Sequence, residues 1–261
     1  MRALVKLGGS VITRKEVEWS VNREALSRLC AELAEAWRAG VELVVVHGGG
    51  SFPHPVAERF RVHEGLRSGS LEELMGFALT NDAAARLNRV VVASLLEAGV
   101  PAVSLQPSAS LLARRGRVEE VYGGALRRML ELRLVPVLYG DAVMDVESGF
   151  SIASGEALLE ALAPLLRPQR IVVCVDVDGV YDKYPGGRLV ERVWRGNVEE
   201  VVRGLGGARG ADVTGGMLHK VEALYRLALK GYPSIIVNGL KPRLVLRALM
   251  GEPCEGTVVE P

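Results

Sequence analysis

The sequence predicts a three-layer α/β/α sandwich built on a mainly parallel central sheet. Three observations carry that expectation. Short β-branched runs recur along the chain and most are continuously apolar, as strands covered on both faces of a parallel sheet are. Stretches with helical period separate them. Glycine clusters close the first two runs, at the strand ends where open α/β sheets place their ligands.

In chain order, Ala3–Leu7 is the first strand run, and a helix over Asn22–Arg38 follows with Leu26, Leu29, Leu33 and Trp37 on one stripe. Leu43–Val46 is the second run. The helix over Leu71–Ala98 sets Leu74, Ala78, Leu87, Val91 and Leu95 on one stripe, and Gly99 closes it. Strand runs at Ala102–Leu105 and Val135–Leu138 come next, then a helix over Glu156–Leu166 and a run at Ile171–Val175. Gly215-Gly216 opens a helix over Gly216–Lys230, with Thr214 placed to cap it, and Ser234–Val237 is the last run. Irregular stretches near 114–124 and 145–153 read as edge hairpins or loops, and a third lies at 182–197. No internal repeat or low-complexity tract interrupts the alternation.

At roughly 150 residues per domain, 261 residues fall between one domain and two. A second strand–helix series begins near 140–170, and we read one domain over 1–261 with lobes of about 1–145 and about 146–261 sharing a sheet. Apolar residues at 49 % and charged residues at 24 % give an ordinary globular composition. Basic and acidic residues nearly cancel, 32 against 31, and aromatics are 5 %; a nucleic-acid binder would carry a basic excess and stacking rings. Cys30, Cys174 and Cys254 are far apart with no CxxC pair, which argues against a zinc cluster or disulfide framework and suits a reducing cytoplasm. No apolar run approaches 18 residues, and the N-terminus MRALVKLGG lacks a leader's long apolar core. The expectation is a cytoplasmic protein with no membrane partner.

The glycines and lysines are the informative residues. Gly8-Gly9-Ser10 and Gly48-Gly49-Gly50-Ser51 follow strands, and Gly215-Gly216 opens a helix. Glycine lets backbone N–H groups come close to phosphate, and helix N-termini add a positive field. Lysine is scarce, six against 26 arginines, yet Lys6, Lys15 and Lys220 all lie beside glycine loops. An ammonium on a flexible stem can follow the charge of a transferring phosphoryl group. GxxxxGK[ST], GxGxxG after a strand and HRD or DFG combinations are absent, so phosphate is held by neither a P-loop, a dinucleotide fold nor a protein-kinase site.

Lys6-Leu7-Gly8-Gly9-Ser10, His47-Gly48-Gly49-Gly50, Asp176-Val177-Asp178-Gly179-Val180 and Asp212-Val213-Thr214-Gly215-Gly216 occur in an order that resembles the amino-acid kinase superfamily. Lys6 through Lys15 and His47 through His54 narrow the resemblance to isopentenyl phosphate kinases, with an archaeal-like motif set, over essentially the whole chain. The resemblance implies transfer of the γ-phosphate of ATP to isopentenyl phosphate, giving isopentenyl diphosphate in an alternative mevalonate route of isoprenoid biosynthesis. It implies that Lys6, Leu7, Gly8, Gly9, Ser10 and Gly50 face the nucleotide phosphates and that Asp178, Gly216 and Lys220 bind ATP. Gly49, His54 and Gly155 would hold the acceptor phosphate, and Lys15 would stabilise the transition state, making Lys15, His54 and Lys6 the catalytic set. The N-terminal lobe would be the acceptor side and the C-terminal lobe the nucleotide side. Mg²⁺ is expected on the ATP phosphates with no protein ligand named, and a homodimer is expected.

A phosphate acceptor is already ionised near neutral pH, its second pKa being about 6, so no catalytic base is needed. Positioning and neutralisation of two anions are needed instead. His54 suits the acceptor phosphate, whereas His47 ends an apolar strand and reads as structural. Leu74, Met75, Phe77 and Ala78 are a candidate wall for a prenyl tail. Two positions depart from the resembled pattern: Pro53 stands where glycine is usual, and Ser154-Gly155-Glu156-Ala157 replaces a segment whose second acidic position organises lysines, with Glu156 a possible substitute. A sister kinase for fosfomycin or UMP, or a non-catalytic nucleotide sensor, is the competing expectation.

Overall fold

The computed structural model describes residues 1–183, 187–206 and 213–261, with backbone alone at 213–215. The chain begins with β1 (Arg2–Leu7), α1 (Gly9–Ile12), α2 (Arg23–Arg38), β2 (Glu42–His47) and α3 (Pro53–Arg59). A short turn at Val62–Glu64 leads into α4 (Leu71–Glu97), then β3 (Ala102–Ser104), α5 (Pro107–Ser110), β4 (Leu111–Arg114), β5 (Arg117–Val121) and α6 (Gly124–Glu131). β6 (Val135–Tyr139), β7 (Asp141–Asp145), β8 (Gly149–Ala153), α7 (Gly155–Leu166) and β9 (Arg170–Val175) follow. The remainder is β10 (Val180–Tyr181), β11 (Leu189–Val190), β12 (Arg192–Val193), α8 (Val198–Gly206), α9 (Val213–Leu229), β13 (Ser234–Asn238), α10 (Leu244–Met250) and β14 (Thr257–Val259).

The main sheet has the order β12-β14-β13-β9-β1-β2-β6-β3. Its six strands from β13 to β3 are parallel in five neighbouring pairs, and β14 meets β13 antiparallel. The strands are continuously apolar because both faces are covered, yet the pleat still sorts them. Ala3, Val5 and Leu7 face a core formed with α2, α4 and α10, while Leu4 faces the other core with α6, α7 and α9. Lys6 is on the Leu4 face, one residue before the end of β1, and α7 is the helix it meets there. The expected α/β/α sandwich is the observed one.

The two edge segments become hairpins, β4–β5 and β7–β8, which join through one parallel bridge into a second sheet ordered β5-β4-β7-β8. Short polar side chains set the helix starts. Asn22 caps α2 by accepting the Ala25 N–H at 3.4 Å, Ser70 caps α4 through Glu73, and Ser154 caps α7 through Ala157. One expectation changes: α9 is already helical at Val213, so Thr214 and Gly215-Gly216 lie inside its first turn rather than at its cap. The Thr214 side chain and Asp212 lie outside the described residues. No helix among the described residues is long and apolar enough to cross a membrane.

Candidate active site

The carboxyl ends of the parallel strands converge on one edge, and the glycine loops continue the ladder beyond them. Gly8 N–H donates to the Cys174 carbonyl at 3.0 Å, Gly48 N–H to the Leu7 carbonyl at 2.9 Å and Gly140 N–H to the His47 carbonyl at 2.9 Å. Two of the expected phosphate contacts thus have backbone groups already engaged in the sheet. The Gly8 N–H is committed to the sheet, and the Leu7 side chain is fully buried in the α2 core with its carbonyl already in use. Of that stretch, Gly9 and Ser10 open α1, and the first N–H groups of a helix have no intrahelical acceptor.

Gly9 and Gly50 press backbone to backbone. A methyl on Gly9 would lie 2.5 Å from the Gly50 nitrogen, and Gly50 sits at φ +53°, a left-handed conformation that glycine adopts without strain. The loops after β1 and β2 are therefore in direct contact. Gly140 and Gly155 close the same opening, since a methyl on Gly140 would stand 3.7 Å from the Gly155 nitrogen and 3.9 Å from that of Gly49.

Beneath these loops lies a buried charge cluster. The Lys6 ammonium, 5 % exposed as a residue, meets Glu156 Oε1 at 2.5 Å, and Lys220 Nζ meets the same oxygen at 2.7 Å. Burial lowers the Lys6 pKa to about 8 against the pull of Glu156, and the like charge of Lys220 lowers it further. Burial opposes ionisation of Glu156, but Lys6 and Lys220 prevail and hold its carboxyl well below the usual carboxylate range. Glu156 thus ties lysines from opposite halves of the chain, while Ala157, one residue on, spends its N–H on the Ser154 cap at 3.1 Å.

Lys15 is reached by the loop after α1. Its Nζ stands 3.5 Å from Asp176 Oδ2 at the end of β9, with the side chain 45 % exposed. Asp178 lies farther along and is enclosed: its Oδ1 accepts from Asn238 Nδ2 at 2.8 Å and meets Lys241 Nζ at 2.7 Å, and its Oδ2 accepts from the Tyr181 hydroxyl at 3.3 Å. Lys241 keeps the Asp178 carboxyl below its ordinary range. Gly216 is exposed on α9, about one turn before Lys220.

On the acceptor side, His54 is exposed in the first turn of α3, its Cδ2 over Gly49. Pro53 is the first residue of that helix, where the missing N–H would be unpaired in any case and the fixed φ suits the turn. Proline is therefore accommodated in place of glycine. His47 is buried, its Nδ1 3.0 Å from the Gly48 carbonyl and its Nε2 3.2 Å from Asn88 Nδ2, and it stacks on Tyr139. Burial pushes its pKa to about 4, so it is neutral and structural. Of the four expected wall residues, Phe77 packs with Phe150 at 5.2 Å, whereas Leu74, Met75 and Ala78 are exposed.

Lys241, Asn238 and Gly140 were not singled out from sequence. The signal was present, because Asn238-Gly239-Leu240-Lys241 and Gly140 also follow apolar strands. The arrangement as a whole can bind two polyanions side by side and move ammonium groups between them. Among the described residues, no cluster of three His, Cys, Asp or Glu side chains is placed to hold a metal alone.

A family model described as the amino acid kinase family matches residues 1–238. The isopentenyl phosphate kinase of Methanothermobacter thermautotrophicus is 40 % identical, with 97 % of each chain covered. That of Methanocaldococcus jannaschii is 32 % identical over 100 % of this chain and 99 % of its own. Among solved structures, an isopentenyl phosphate kinase crystal structure superposes with a TM-score of 0.85 at 36 % identity, covering 99 % of this chain and 100 % of that one.

Proposed function

The chain belongs to the amino acid kinase family, and from that premise we propose that it transfers the γ-phosphoryl group of ATP to isopentenyl phosphate. An oxygen of the acceptor phosphate forms a bond to the γ-phosphorus while the bond from that phosphorus to the β,γ-bridging oxygen breaks. Isopentenyl diphosphate and ADP result. The observation that carries the choice of acceptor is the pairing of a phosphate site with an apolar cluster. Ala57, Val62, Ala142 and Phe150 form that cluster with Phe60, Phe77 and Ile152 against it, and Ala57 is one turn beyond His54 on α3. An acceptor with a dianion at one end and a short hydrocarbon at the other matches both parts; a nucleotide or a small phosphonate matches only the first.

Gly49, Gly155 and His54 hold the acceptor phosphate, Gly9, Ser10 and Gly50 meet the nucleotide phosphates, and Lys220 and Lys6 neutralise them. Asp178 and Gly216 belong to the nucleotide side. Lys15 follows the charge of the transferring group. Mg²⁺ enters on the ATP phosphates, where few protein ligands are needed and it offsets charge on the phosphate oxygens; phosphoryl transfer undiminished in excess EDTA would remove it. The N-terminal lobe, about 1–145, mainly serves the acceptor and the C-terminal lobe, about 146–261, mainly the nucleotide, with the phosphates shared across their junction. A homodimer through the exposed stripe Leu71, Leu74, Met75 and Leu79 of α4 completes the reading; a single monomeric species in analytical ultracentrifugation would exclude it. The cytoplasm is the compartment that suits three unpaired cysteines, and fractionation tests it.

The experiment is a panel of acceptors at fixed ATP and Mg²⁺, followed by ADP release. The highest kcat/KM is expected with isopentenyl phosphate. A higher value with UMP or fosfomycin would assign the fold to a sister reaction, and ATP binding with no turnover on any acceptor would make it a sensor.

A further inference from the structure

Lys15 stands on the loop 14–20, whose neck is closed by a Thr13–Val21 bridge and by Arg14 N–H donating to the Ser20 carbonyl at 2.9 Å. The loop's far limb does not rest on its own helix. It is fastened to Ser51, which belongs to the acceptor-side glycine loop. Trp19 N–H donates to the Ser51 carbonyl at 3.0 Å, Ser20 N–H donates to Ser51 Oγ at 3.3 Å, and Ser51 Oγ–H donates to the Ser20 carbonyl at 3.2 Å. The Ser51 N–H donates to Thr13 Oγ1 at 3.0 Å, so every polar atom of Ser51 is engaged with the segment that carries Lys15. The residue is only 4 % exposed.

Two further features show that this segment is held against its own preference. Trp19 has φ +59°, a left-handed conformation unfavourable for a bulky residue. Its ring packs edge-on against Phe52, the residue after Ser51, at 5.3 Å, and the Arg86 guanidinium lies 5.7 Å over it. The Ser20 carbonyl that receives the Ser51 hydroxyl also receives Arg14 N–H, one residue before Lys15. The hydroxyl is therefore linked to the Lys15 backbone through a single shared acceptor. Among the described residues, a long ion pair to Asp176 at 3.5 Å is what fixes the Lys15 ammonium.

From this juxtaposition we propose that Ser51 is a positioning residue: its side chain clamps the Lys15 loop onto the acceptor loop and sets where the Lys15 ammonium stands at the moment of transfer. The proposal rests on Lys15 acting on the transferring phosphoryl group. It adds that the acceptor loop, which places His54 and Gly49 on the substrate, also carries the strut that aims the lysine. A misplacement of about 1 Å is enough to lower a rate steeply.

The test is a double-mutant cycle in the full chain with Ser51→Ala, Lys15→Ala and the pair, read by transfer of labelled phosphate to isopentenyl phosphate. Ser51→Ala keeps every backbone bond and removes only the hydroxyl. It is expected to lower kcat about tenfold while leaving KM for both substrates within about twofold. In the Lys15→Ala background, the same change is expected to have no further effect. Trp19→Ala, which removes the ring from the same clamp, provides a second cycle should the first variant misfold. Equal slowing by Ser51→Ala in both backgrounds, or a raised acceptor KM with kcat intact, would make Ser51 merely structural and overturn the proposal. Lys15→Ala turning over as fast as the parent would instead overturn the reading of Lys15 on which it rests.

Discussion

Replacing Glu156 by glutamine removes one negative charge from between two buried ammonium groups and changes almost no volume. In the parent, one carboxylate oxygen serves Lys6 at 2.5 Å and Lys220 at 2.7 Å, with side-chain exposures of 17 % for the acid and 6 % and 14 % for the lysines. Removing one partner of a buried ion pair destabilises by about 3–5 kcal/mol. The loss has a ceiling here, because Lys6 already titrates at about 8 and can shed its proton. At pH 7 that limits the additional Lys6 share to about 1–2 kcal/mol, and the lost charge-assisted hydrogen bond to Lys220 contributes about 1.5–3 kcal/mol. The sum is about 3–5 kcal/mol, or roughly 6–20 °C in Tm for a chain of this size.

The same substitution has a kinetic signature with a definite sign. If ATP binding uses the charged form of Lys6, as proposed, kcat/KM for ATP should fall as pH rises through about 8 in the parent. Glu156 raises the Lys6 value, so in Glu156→Gln the falling limb moves to lower pH. Linkage runs the same way. Lys6 titrates lower in the folded chain than in the unfolded one, so its contribution to stability improves between about 8 and 10.5, and the variant opens that window at lower pH. Thermal melts and a pH series of kcat/KM read both effects. A Tm within about 1 °C of the parent, or an unmoved alkaline limb, would refute the assignment of Glu156 as the group that holds the two lysines.

Three other outcomes follow from the geometry. Gly155→Ala would set a methyl 2.5 Å from Lys6 Cε, so a loss of at least about tenfold in kcat/KM for ATP is expected in steady-state kinetics, and parent-like kinetics would contradict that packing. His54→Ala should raise KM for isopentenyl phosphate by about ten- to a hundredfold and leave KM for ATP near the parent value; an effect confined to ATP would move His54 off the acceptor. Asp141 is 1 % exposed, and burial raises its pKa to about 6 even though Ser108 N–H and Asn81 Nδ2 donate to it at 3.1 and 2.9 Å. Its ionisation therefore destabilises the fold above about pH 6 and is relieved as pH falls toward its unfolded value. Asp141→Asn should stabilise by about 1–2 kcal/mol at pH 7.5, keep roughly half of that gain near pH 5 and lose it below about pH 4, whereas a gain that does not change with pH would exclude the titration.

What was legible in the sequence was what a buried parallel sheet imposes locally. β1, β2, β6, β9 and β13 were readable because each is apolar on both faces, and the glycines after β1 and β2 marked the ligand edge. The scarcity of lysine marked Lys6, Lys15 and Lys220. Long-range placement was not legible. Nothing local says that β4 pairs with β7 across three intervening elements, or that β14 returns antiparallel to β13. Glu156 is one residue from the position where the resemblance led us to look, and only the rotation of α7 shows that it reaches both lysines. Lys241 was passed over although it satisfies the criterion that found Lys6. Ser51 read as one more polar residue in a glycine loop, because the partner of a buried hydroxyl is set by tertiary contact rather than by spacing. The start of α9 was misjudged because two glycines resemble a helix boundary, although the first turn accepts them.

The most direct measurement is phosphorus NMR of the purified chain incubated with ATP, Mg²⁺ and isopentenyl phosphate. The expected result is loss of the acceptor's single monophosphate signal and growth of two coupled diphosphate signals, one equivalent for each ADP formed, with Lys15→Ala slowing both together. ADP accumulating beside inorganic phosphate while the acceptor signal stays unchanged would contradict phosphoryl transfer to isopentenyl phosphate.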